Sequence, residues 1–347
     1  MELGSNYDLR ISELSFQDNN IKRYLENDSA FYVDSGRSAI KMLLPKIKKK
    51  KILLPMYICK SVVDCFSQGF EIQYYKLDMQ LKINRRSLEN LMDENVGMVY
   101  IMHYFGKLQE ENDLTYIKQM QQRYHFFILE DTTHSFLTQK ETIGDYQVCS
   151  LRKWFAVPDG GVLYTRNAKI NQKMQLKENA LSGKVAEAMI LKNLYINKQV
   201  DCNDSYRKIF VEQEQKLDSQ REICHISELT SVLLECMDYE EIAQRRKKNW
   251  DYLYGHLKNK KIKPMYPEKA IDFVPFVFPI LTEERNAFRK YLIEHNIYCA
   301  IHWPIETEKQ RAIEENSLLE QQILSLPIDQ RYTEREIDYL IQVVNEW

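Results

Sequence analysis

The sequence predicts an α/β protein in which a mostly parallel sheet lies between layers of helices. From about Ser35 to Tyr164, short apolar runs alternate with amphipathic stretches, and this alternation is typical of parallel strands joined by helical crossovers. The chain also has 347 residues, 44% of them hydrophobic, which is enough to bury a core in one large domain or two of ordinary size. We therefore expect a globular protein.

Apolar runs in the first region are the predicted strands. Each run is short and contains few charges, as expected for strands that are buried on both faces of a parallel sheet. The predicted strands are 52–54, 72–75, 98–102, 126–129, 148–149 and 162–164, and the predicted helices between them include 61–68, 87–92 and 114–123.

The pattern becomes helical and charged after Asn167. A long amphipathic stretch over 239–257 predicts a helix that could bridge two domains. We therefore divide the chain into a large domain, residues 1–238, and a smaller C-terminal α/β domain, residues 239–347. The other helices predicted before this bridge are 179–196, 205–217 and 226–236.

The smaller domain again combines strands with helices. Pro275 and Pro279 interrupt the apolar run 273–281, which predicts an edge strand or a bulged one because proline donates no ladder hydrogen bond. Thr333 and Glu336 form the pattern of a capping box at the start of the last helix. The other predicted elements are a helix over 284–295, a strand over 298–302 and the closing helix over 333–344.

Charge and composition exclude several classes of partner. The chain carries 48 basic and 50 acidic residues, so no overall field favours nucleic acid or an anionic membrane. The basic run Lys46 to Lys51 leads directly into an apolar strand, and we interpret it as solvated. No secretory signal opens the chain, and no run approaches the roughly 18 apolar residues of a membrane span. We expect a cytoplasmic protein.

The cysteine and histidine patterns argue against a metal site. The seven cysteines are odd in number and form no Cys-x-x-Cys pair, and the seven histidines form no helical His-x-x-x-His pair. We expect reduced thiols and no bound metal.

An Asp-Ser-Gly-Arg-Ser segment, residues 34–38, precedes a predicted helix. Backbone N–H groups and the helix dipole at such a turn bind anions, which makes Gly36, Arg37 and Ser38 candidate phosphate contacts. Serine before a helix is also a common N-cap, and the residues alone leave both interpretations open.

Asp131 and His134 follow the apolar run 126–129. A carboxylate at this strand end could cap the next turn, or it could keep a pyridine nitrogen protonated so that the ring accepts electrons. His134 could pack against the same cofactor or lie at the surface. The sequence alone does not decide between these roles.

Lys153 is the residue most indicative of chemistry. Most lysines are solvated, but partial desolvation by aromatic neighbours such as Trp154 would lower the amine's pKa and make it a nucleophile for an aldehyde cofactor. Ser150 could reach the phosphate of the same cofactor. The Pro-Asp-Gly-Gly turn at 158–161 then lets the chain return as a strand.

Taken together and in this order, these residues resemble the DegT/StrS-type sugar aminotransferases, which are fold-type I pyridoxal phosphate (PLP) enzymes. The resemblance extends over nearly the whole chain. Each motif alone is weak, whereas six in the same order are specific. The motifs are Ser35–Ala39, Leu53–Tyr57, His103–Gly106, Glu130–His134, Lys153 with Gly160–Gly161, and Leu324–Ile328.

The resemblance implies a large domain with a mostly parallel, seven-stranded type of sheet, a smaller α/β domain, and a homodimer. It implies that Lys153 holds PLP as a Schiff base and moves the proton, and that Asp131 faces the pyridine nitrogen. Tyr57 would stack on the cofactor ring, although Cys59 occupies the position where many members have that aromatic. The implied cofactor-binding residues are Gly36, Arg37, Ser38, Tyr57, Asp131, His134, Ser150 and Lys153, of which Lys153 and Asp131 would be catalytic.

The chain departs from the family pattern in two segments. Members usually have Ser-Phe-His-x-x-Lys, whereas this chain has Ser150-Leu151-Arg152-Lys153, which is two residues shorter and adds Arg152 as a further cation. An Asn-x-Arg segment that precedes Ser-Glu-Leu in many members is replaced by residues 223–225. The phosphate contacts and the substrate are therefore less defined than the cofactor.

The implied reaction moves an amino group from glutamate to a keto sugar linked to a nucleotide. The partners would then be small molecules, with no nucleic acid and no membrane. Two alternatives remain, namely a PLP enzyme with another outcome, such as a dehydratase, and a catalytically idle binding or regulatory protein. Related sugar dehydratases replace the lysine with histidine, so Lys153 argues against the first alternative, while the missing Asn-x-Arg segment favours the second.

Overall fold

The chain forms two compact units in a computed structural model. Unit 1 comprises Met1–Ser5, Ile47–Asp145 and Glu241–Trp347, and unit 2 comprises Asn6–Lys46 and Tyr146–Glu240. The predicted boundary after residue 238 lies close to the crossing at 240/241, and the division into domains 1–238 and 239–347 stays a prediction. The structure describes residues 2–25, 28–138, 142–166, 169–170, 175–268, 271–305 and 308–347.

The strands are short, as in most α/β proteins. They are β1 (Leu3–Gly4), β2 (Ser29–Val33), β3 (Lys51–Pro55), β4 (Glu71–Tyr75), β5 (Val96–Met102), β6 (Phe127–Asp131), β7 (Tyr146–Ser150), β8 (Gly161–Thr165), β9 (Lys177–Glu178), β10 (Cys224–His225), β11 (Lys263–Pro264), β12 (Phe278–Leu281), β13 (Ile297–Tyr298) and β14 (Ile323–Leu326).

The helices include the long bridging helix expected over 239–257, which is α9. They are α1 (Ile21–Tyr24), α2 (Gly36–Lys41), α3 (Lys60–Phe66), α4 (Arg85–Leu91), α5 (Glu111–Tyr124), α6 (Ser182–Ile196), α7 (Asn203–Ser219), α8 (Glu228–Glu235), α9 (Tyr239–His256), α10 (Arg285–Glu294), α11 (Glu308–Arg311), α12 (Glu314–Gln322) and α13 (Glu334–Glu346), with 3₁₀ turns at Ile11–Glu13, Leu44–Lys46 and Leu151–Lys153. None of the described helices combines the length and apolar character that a bilayer-spanning segment needs.

Unit 1 contains a run of parallel strands in the order β4, β3, β5, β6. Every residue of β3 and β5 is buried, which explains why these segments are apolar throughout rather than alternating. Met102 and Asp131 end β5 and β6 and are register partners. The segments that follow them therefore leave the strands side by side, at the carboxyl edge where α/β proteins place their ligands.

Unit 2 holds its strands in the order β7, β8, β2, β10, β9. Strand β8 is antiparallel to both β7 and β2, and Gly161 pairs with Ser150 on one side and Val33 on the other. The short connection from β7 to β8 explains this direction, because a parallel crossover needs a dozen or more residues. The predicted return of the chain after residues 158–161 is confirmed.

Unit 1 also contains a three-stranded sheet in the order β11, β12, β14, and its arrangement differs from the prediction. Strand β12 lies between β11 and β14, so the prediction of an edge or bulged strand over 273–281 is wrong. The carbonyl of Pro279 accepts from the N–H of Met265 at 2.9 Å, so the nitrogen of Pro279 points to the same side, toward β11. Strand β11 ends at Pro264, and the hydrogen bond that proline cannot donate would therefore lie just beyond the end of that two-residue strand.

The capping box of the last helix is confirmed. The N–H of Thr333 donates to Glu336 Oε2 at 2.9 Å, and the threonine side chain caps α13 in return. This reciprocal arrangement satisfies two backbone donors that a helix start otherwise leaves without partners.

Candidate active site

In unit 2, close backbone approach brings the predicted phosphate turn against the end of β7. A Cβ added to Gly36 would lie 3.1 Å from the Cβ of Ser150, and one added to Gly161 would lie 2.2 Å from the carbonyl carbon of Ser35. Ser35 is the N-cap of α2, and its Oγ accepts from the N–H of Ser38 at 3.2 Å. The N-cap interpretation is thus observed, and Gly36, Ser38 and Ser150 are brought together.

Lys153 ends the 3₁₀ turn that follows β7. Trp154 and Phe155 are completely buried and anchor the turn, whereas Lys153 itself is exposed. Its aromatic neighbours therefore do not bury the Lys153 side chain within the single chain, contrary to the expectation from the sequence. The charge of Lys153 acts on Glu214 of α7.

Two arginines beside this lysine are paired with helix α7. Arg152 Nη1 lies 3.1 Å from Glu214 Oε2, and Arg37 Nη1 lies 2.6 Å from Asp218 Oδ1. Burial alone would raise the pKa of Glu214, but the positive charge of Arg152, its hydrogen bonds, and the charges of Lys153 and Arg37 lower it to about 2. Glu214 is consequently an anion at any physiological pH.

Asp159 fixes the turn between Lys153 and β8. Its carboxylate accepts hydrogen bonds from the amide of Asn179 at 3.1 Å and from the N–H and hydroxyl of Ser227 at 3.0 and 2.8 Å. Burial raises the pKa of Asp159, while these donors lower it. The turn is thereby tied to α8, whose N-cap is Ser227.

In unit 1, Asp131 is a buried carboxylate that accepts hydrogen bonds from Tyr100 and Thr133. The hydroxyl of Tyr100 donates to Oδ2 at 2.5 Å and the N–H of Thr133 donates to Oδ1 at 2.8 Å. Burial raises the pKa of Asp131, and the hydrogen bonds from Thr133 and Tyr100 oppose that shift. A positively charged pyridine nitrogen at this carboxylate would keep it ionised.

A second buried pair lies on the neighbouring strand ends. The N–H of Gln109 donates to Nδ1 of His103 at 3.0 Å, so Nε2 carries the proton and donates to Glu130 Oε1 at 3.3 Å. Glu130 also accepts from the N–H of Gly144 at 2.8 Å. Burial would raise the pKa of Glu130, but the hydrogen bonds from His103 and from the N–H of Gly144 lower it.

His134 and Tyr57 both belong to an aromatic cluster in unit 1. The ring of His134 stacks on Phe276 at 4.3 Å and on Trp303 at 5.0 Å. Tyr57 is buried, and the centre of its ring lies 5.8 Å from that of Trp303. Its hydroxyl donates to the carbonyl of His302. Trp303 is only partly buried and forms the accessible part of this cluster. Cys59, at the alternative position for the stacking aromatic, precedes α3 and is partly exposed.

The predicted residues therefore fall into two groups, one in each unit. Several partners that support them were missed from the sequence, namely Tyr100, Asp159, Glu214 and Asp218. Tyr100 stands in an otherwise apolar strand, which is a usable signal for a functional hydroxyl. Glu214 and Asp218 lie in a helix that is charged throughout, so nothing local distinguishes them.

A protein-family model matches residues 13–345, which is nearly the whole chain, and it describes the DegT/DnrJ/EryC1/StrS aminotransferase family. The chain belongs to this family. It is therefore an aminotransferase with pyridoxal phosphate as its cofactor, as the sequence predicts.

Several known proteins resemble this aminotransferase over most of its length. A dTDP-3-amino-3,6-dideoxy-alpha-D-galactopyranose transaminase of Aneurinibacillus thermoaerophilus is 23% identical over 295 residues, covering 80% of this chain and 71% of the relative. DesV of S. venezuelae, solved with a ketimine intermediate, has a TM-score of 0.66 at 18% identity, over 99% of this chain and 91% of DesV. The putative sugar aminotransferase Spr1654 of Streptococcus pneumoniae, in its PLP form, has a TM-score of 0.67 at 14% identity, over 100% of this chain and 98% of that protein. The predicted fold class is confirmed.

The donor groups of this aminotransferase fit pyridoxal phosphate. A phosphorylated pyridine aldehyde needs a carboxylate for its ring nitrogen, an amine for its aldehyde and cationic donors for its phosphate. Asp131 and Lys153 are of the required types, and the Nε of Arg152 is a buried donor that has no hydrogen-bond partner among the described residues. The assignment of individual site residues stays a prediction.

Proposed function

We propose that this aminotransferase moves an amino group from glutamate to a keto sugar linked to a nucleotide, and that Lys153 is the amine that holds the cofactor. The observation that carries the proposal is family membership over residues 13–345, combined with a lysine at the end of a 3₁₀ turn and a buried carboxylate at a strand end. The relative from Aneurinibacillus thermoaerophilus, named as a transaminase of a dTDP-linked amino sugar, supports the substrate class.

Each residue has a distinct role in the proposed reaction. Bound pyridoxal phosphate supplies an aldehyde that condenses with amines and a ring that accepts an electron pair. Asp131, held by Tyr100 and Thr133, keeps the ring nitrogen protonated. The Nζ of Lys153 would take the proton from the α-carbon of the donor and deliver it to the carbon atom of the cofactor's aldehyde group. Gly36, Arg37, Ser38 and Ser150 are the proposed phosphate contacts, and Tyr57 and His134 shape the ring pocket.

Borohydride labelling tests the role of Lys153. Reduction of the wild-type protein with PLP should fix one cofactor on Lys153, identified by peptide mass, and should bleach the absorbance band of the bound cofactor. Lys153→Ala should lose both. Lys184→Ala, which removes an exposed lysine of unit 2 that pairs with Glu187, is the matched control and should keep both. Label on another lysine in the wild type contradicts the assignment.

The reaction itself is tested by adding glutamate. A functional aminotransferase converts bound cofactor to its amine form and releases 2-oxoglutarate in equal amount. Added nucleotide-linked keto sugars should restore the original spectrum. A protein that keeps its cofactor spectrum unchanged with every amino donor is an idle binder, which would overturn the proposal.

We further propose that the enzyme is a cytoplasmic homodimer. Large apolar side chains that are exposed among the described residues concentrate in unit 2, where Lys153 is also exposed. On α8, Leu229 and Val232 lie three residues apart and thus share one face. The exposed residues of this kind in unit 2 are Ile11, Phe16, Val200, Val211, Leu229 and Val232.

The solution mass tests the dimer. Light scattering should give twice the mass of the chain, and Val232→Glu should shift the protein toward the monomer. Leu318→Glu changes another exposed apolar residue, which lies in unit 1, and should leave the mass unchanged. A wild-type monomer that still releases 2-oxoglutarate would contradict the dimer.

A further inference from the structure

Arg152 has an unusual hydrogen-bonding arrangement for an arginine next to the proposed cofactor lysine. Its two terminal nitrogens, Nη1 and Nη2, lie 3.1 and 3.5 Å from the two carboxylate oxygens of Glu214. The third donor, Nε, is buried and has no hydrogen-bond partner among the described residues. A buried donor of a cation without a partner costs free energy, so this N–H is suited to an anion that is bound from solution.

The surroundings of Arg152 favour an anion. Ser150, two residues earlier, lies against Gly36 at the start of α2. Arg37, the next residue of that turn, pairs with Asp218, which lies one helical turn after Glu214 on α7. Both guanidinium groups are thus held on one face of α7.

Three cations act on Glu214, namely Arg152, Lys153 and Arg37. Arg152 is paired with Glu214 and Arg37 with Asp218. Cations gathered beside the proposed cofactor lysine are of the type that binds a phosphate.

We propose that Arg152 is a phosphate contact specific to this chain, in which its Nε–H donates to the cofactor phosphate while Glu214 holds the two terminal nitrogens. Glu214 is then a positioning residue, since it fixes the guanidinium plane without touching the cofactor. A guanidinium held by both terminal nitrogens keeps its Nε–H direction fixed, which a lysine could not do. The inference rests on the proposed binding of PLP at Lys153.

Comparing two aldehydes separates this contact from the rest of the site. Pyridoxal has the same ring and aldehyde as PLP but lacks the phosphate. Arg152→Ala should weaken equilibrium binding of PLP about tenfold or more, as expected for the loss of a charged hydrogen bond. Its affinity for pyridoxal, measured by the same absorbance titration, should stay within about twofold of wild type.

Glu214→Gln is the second variant, and it leaves Arg152 in place. It should weaken PLP binding several-fold, by less than Arg152→Ala, and leave pyridoxal binding unchanged. Arg166→Ala is the matched control, because Arg166 is an arginine of the same unit that pairs with Asp28 at 2.9 Å. This control should bind both aldehydes as the wild type does.

The outcomes are distinct. If Arg152→Ala weakens PLP and pyridoxal by the same factor, or neither, Arg152 only braces α7 and the inference is overturned. If the wild type binds both aldehydes equally and still carries them on Lys153 after borohydride reduction, the inference that Arg152 contacts the phosphate is refuted. The proposed role of Lys153 is then unaffected. If neither aldehyde labels Lys153, both fall together.

Discussion

Replacing Gly161 with alanine tests how closely β8 must approach the turn before α2. The new Cβ would lie 2.2 Å from both the carbonyl carbon and oxygen of Ser35 and 2.6 Å from the nitrogen of Gly36. All three atoms are backbone, so no flexible side chain can move aside. To reach ordinary contact distances, the backbone would have to shift by about 1 Å. This shift would fall where β8 pairs with β2, so it would disturb the sheet.

We expect Gly161→Ala to lower the free energy of unfolding by about 3 kcal/mol, the upper range for overpacking a tightly packed site. Urea unfolding followed by circular dichroism measures this loss. The variant should also bind PLP more weakly than wild type, because the displaced backbone belongs to the proposed phosphate turn at Ser35 and Gly36.

Gly183→Ala is the matched control for this prediction. Gly183 lies in the first turn of α6, and a Cβ there would have no atom within 4 Å. Since alanine favours the helix more than glycine, this variant should gain about 0.5 to 1 kcal/mol. Unfolding of Gly161→Ala at the wild-type urea concentration, or an equal loss in both variants, would refute the steric reasoning.

Three further predictions concern single side chains. Thr333→Ala removes the capping box with Glu336 and should cost about 1 kcal/mol in urea unfolding, whereas Thr333→Ser should restore most of it. The lowered pKa of Glu130 in the fold means that its stabilising contribution is present above pH 4.5 and is lost as the pH falls below that value. The unfolding free energy of Glu130→Gln should therefore fall less than that of wild type between about pH 5 and 3; an identical slope would contradict the buried pair with His103. Asp131→Asn should slow release of 2-oxoglutarate from glutamate by about a hundredfold or more while labelling of Lys153 persists, and an unchanged rate would remove Asp131 from the reaction.

Much of the fold could be predicted because its strands are buried on both faces. The six apolar runs of the first region became β3 to β8, with ends shifted by at most two residues. Strand β2, with the sequence Ser-Ala-Phe-Tyr-Val, was missed because it is not a continuous apolar run. Only its third and fifth residues are buried, and the strand follows a charged segment. The middle position of β12 was also missed, because it depends on pairing with β11, which is only two residues long and has no strand pattern in the sequence.

The candidate site was predicted unevenly for a similar reason. Lys153, Asp131 and Gly36 stand in local patterns that indicate turns and strand ends. Arg152 and Glu214 pair across 62 residues of sequence, and no local pattern specifies which glutamate of α7 faces the lysine turn. The exposure of Lys153 likewise depends on the packing of whole elements rather than on its aromatic neighbours.

The hydrogen bonds of Asp159 also determine when, during synthesis of the chain, the turn after Lys153 is able to form. Ser227, which supplies two of its donors, follows Asp159 by 68 residues. At ~5–20 residues per second, a ribosome needs about 3–14 s to make that interval. The parallel strands β3 to β6 of unit 1 have left the ribosome by then, while the turn beside Lys153 still lacks the groups that hold it. The turn that follows Lys153 therefore reaches its final geometry only after the start of α8 has been made, long after the turn itself has been synthesised.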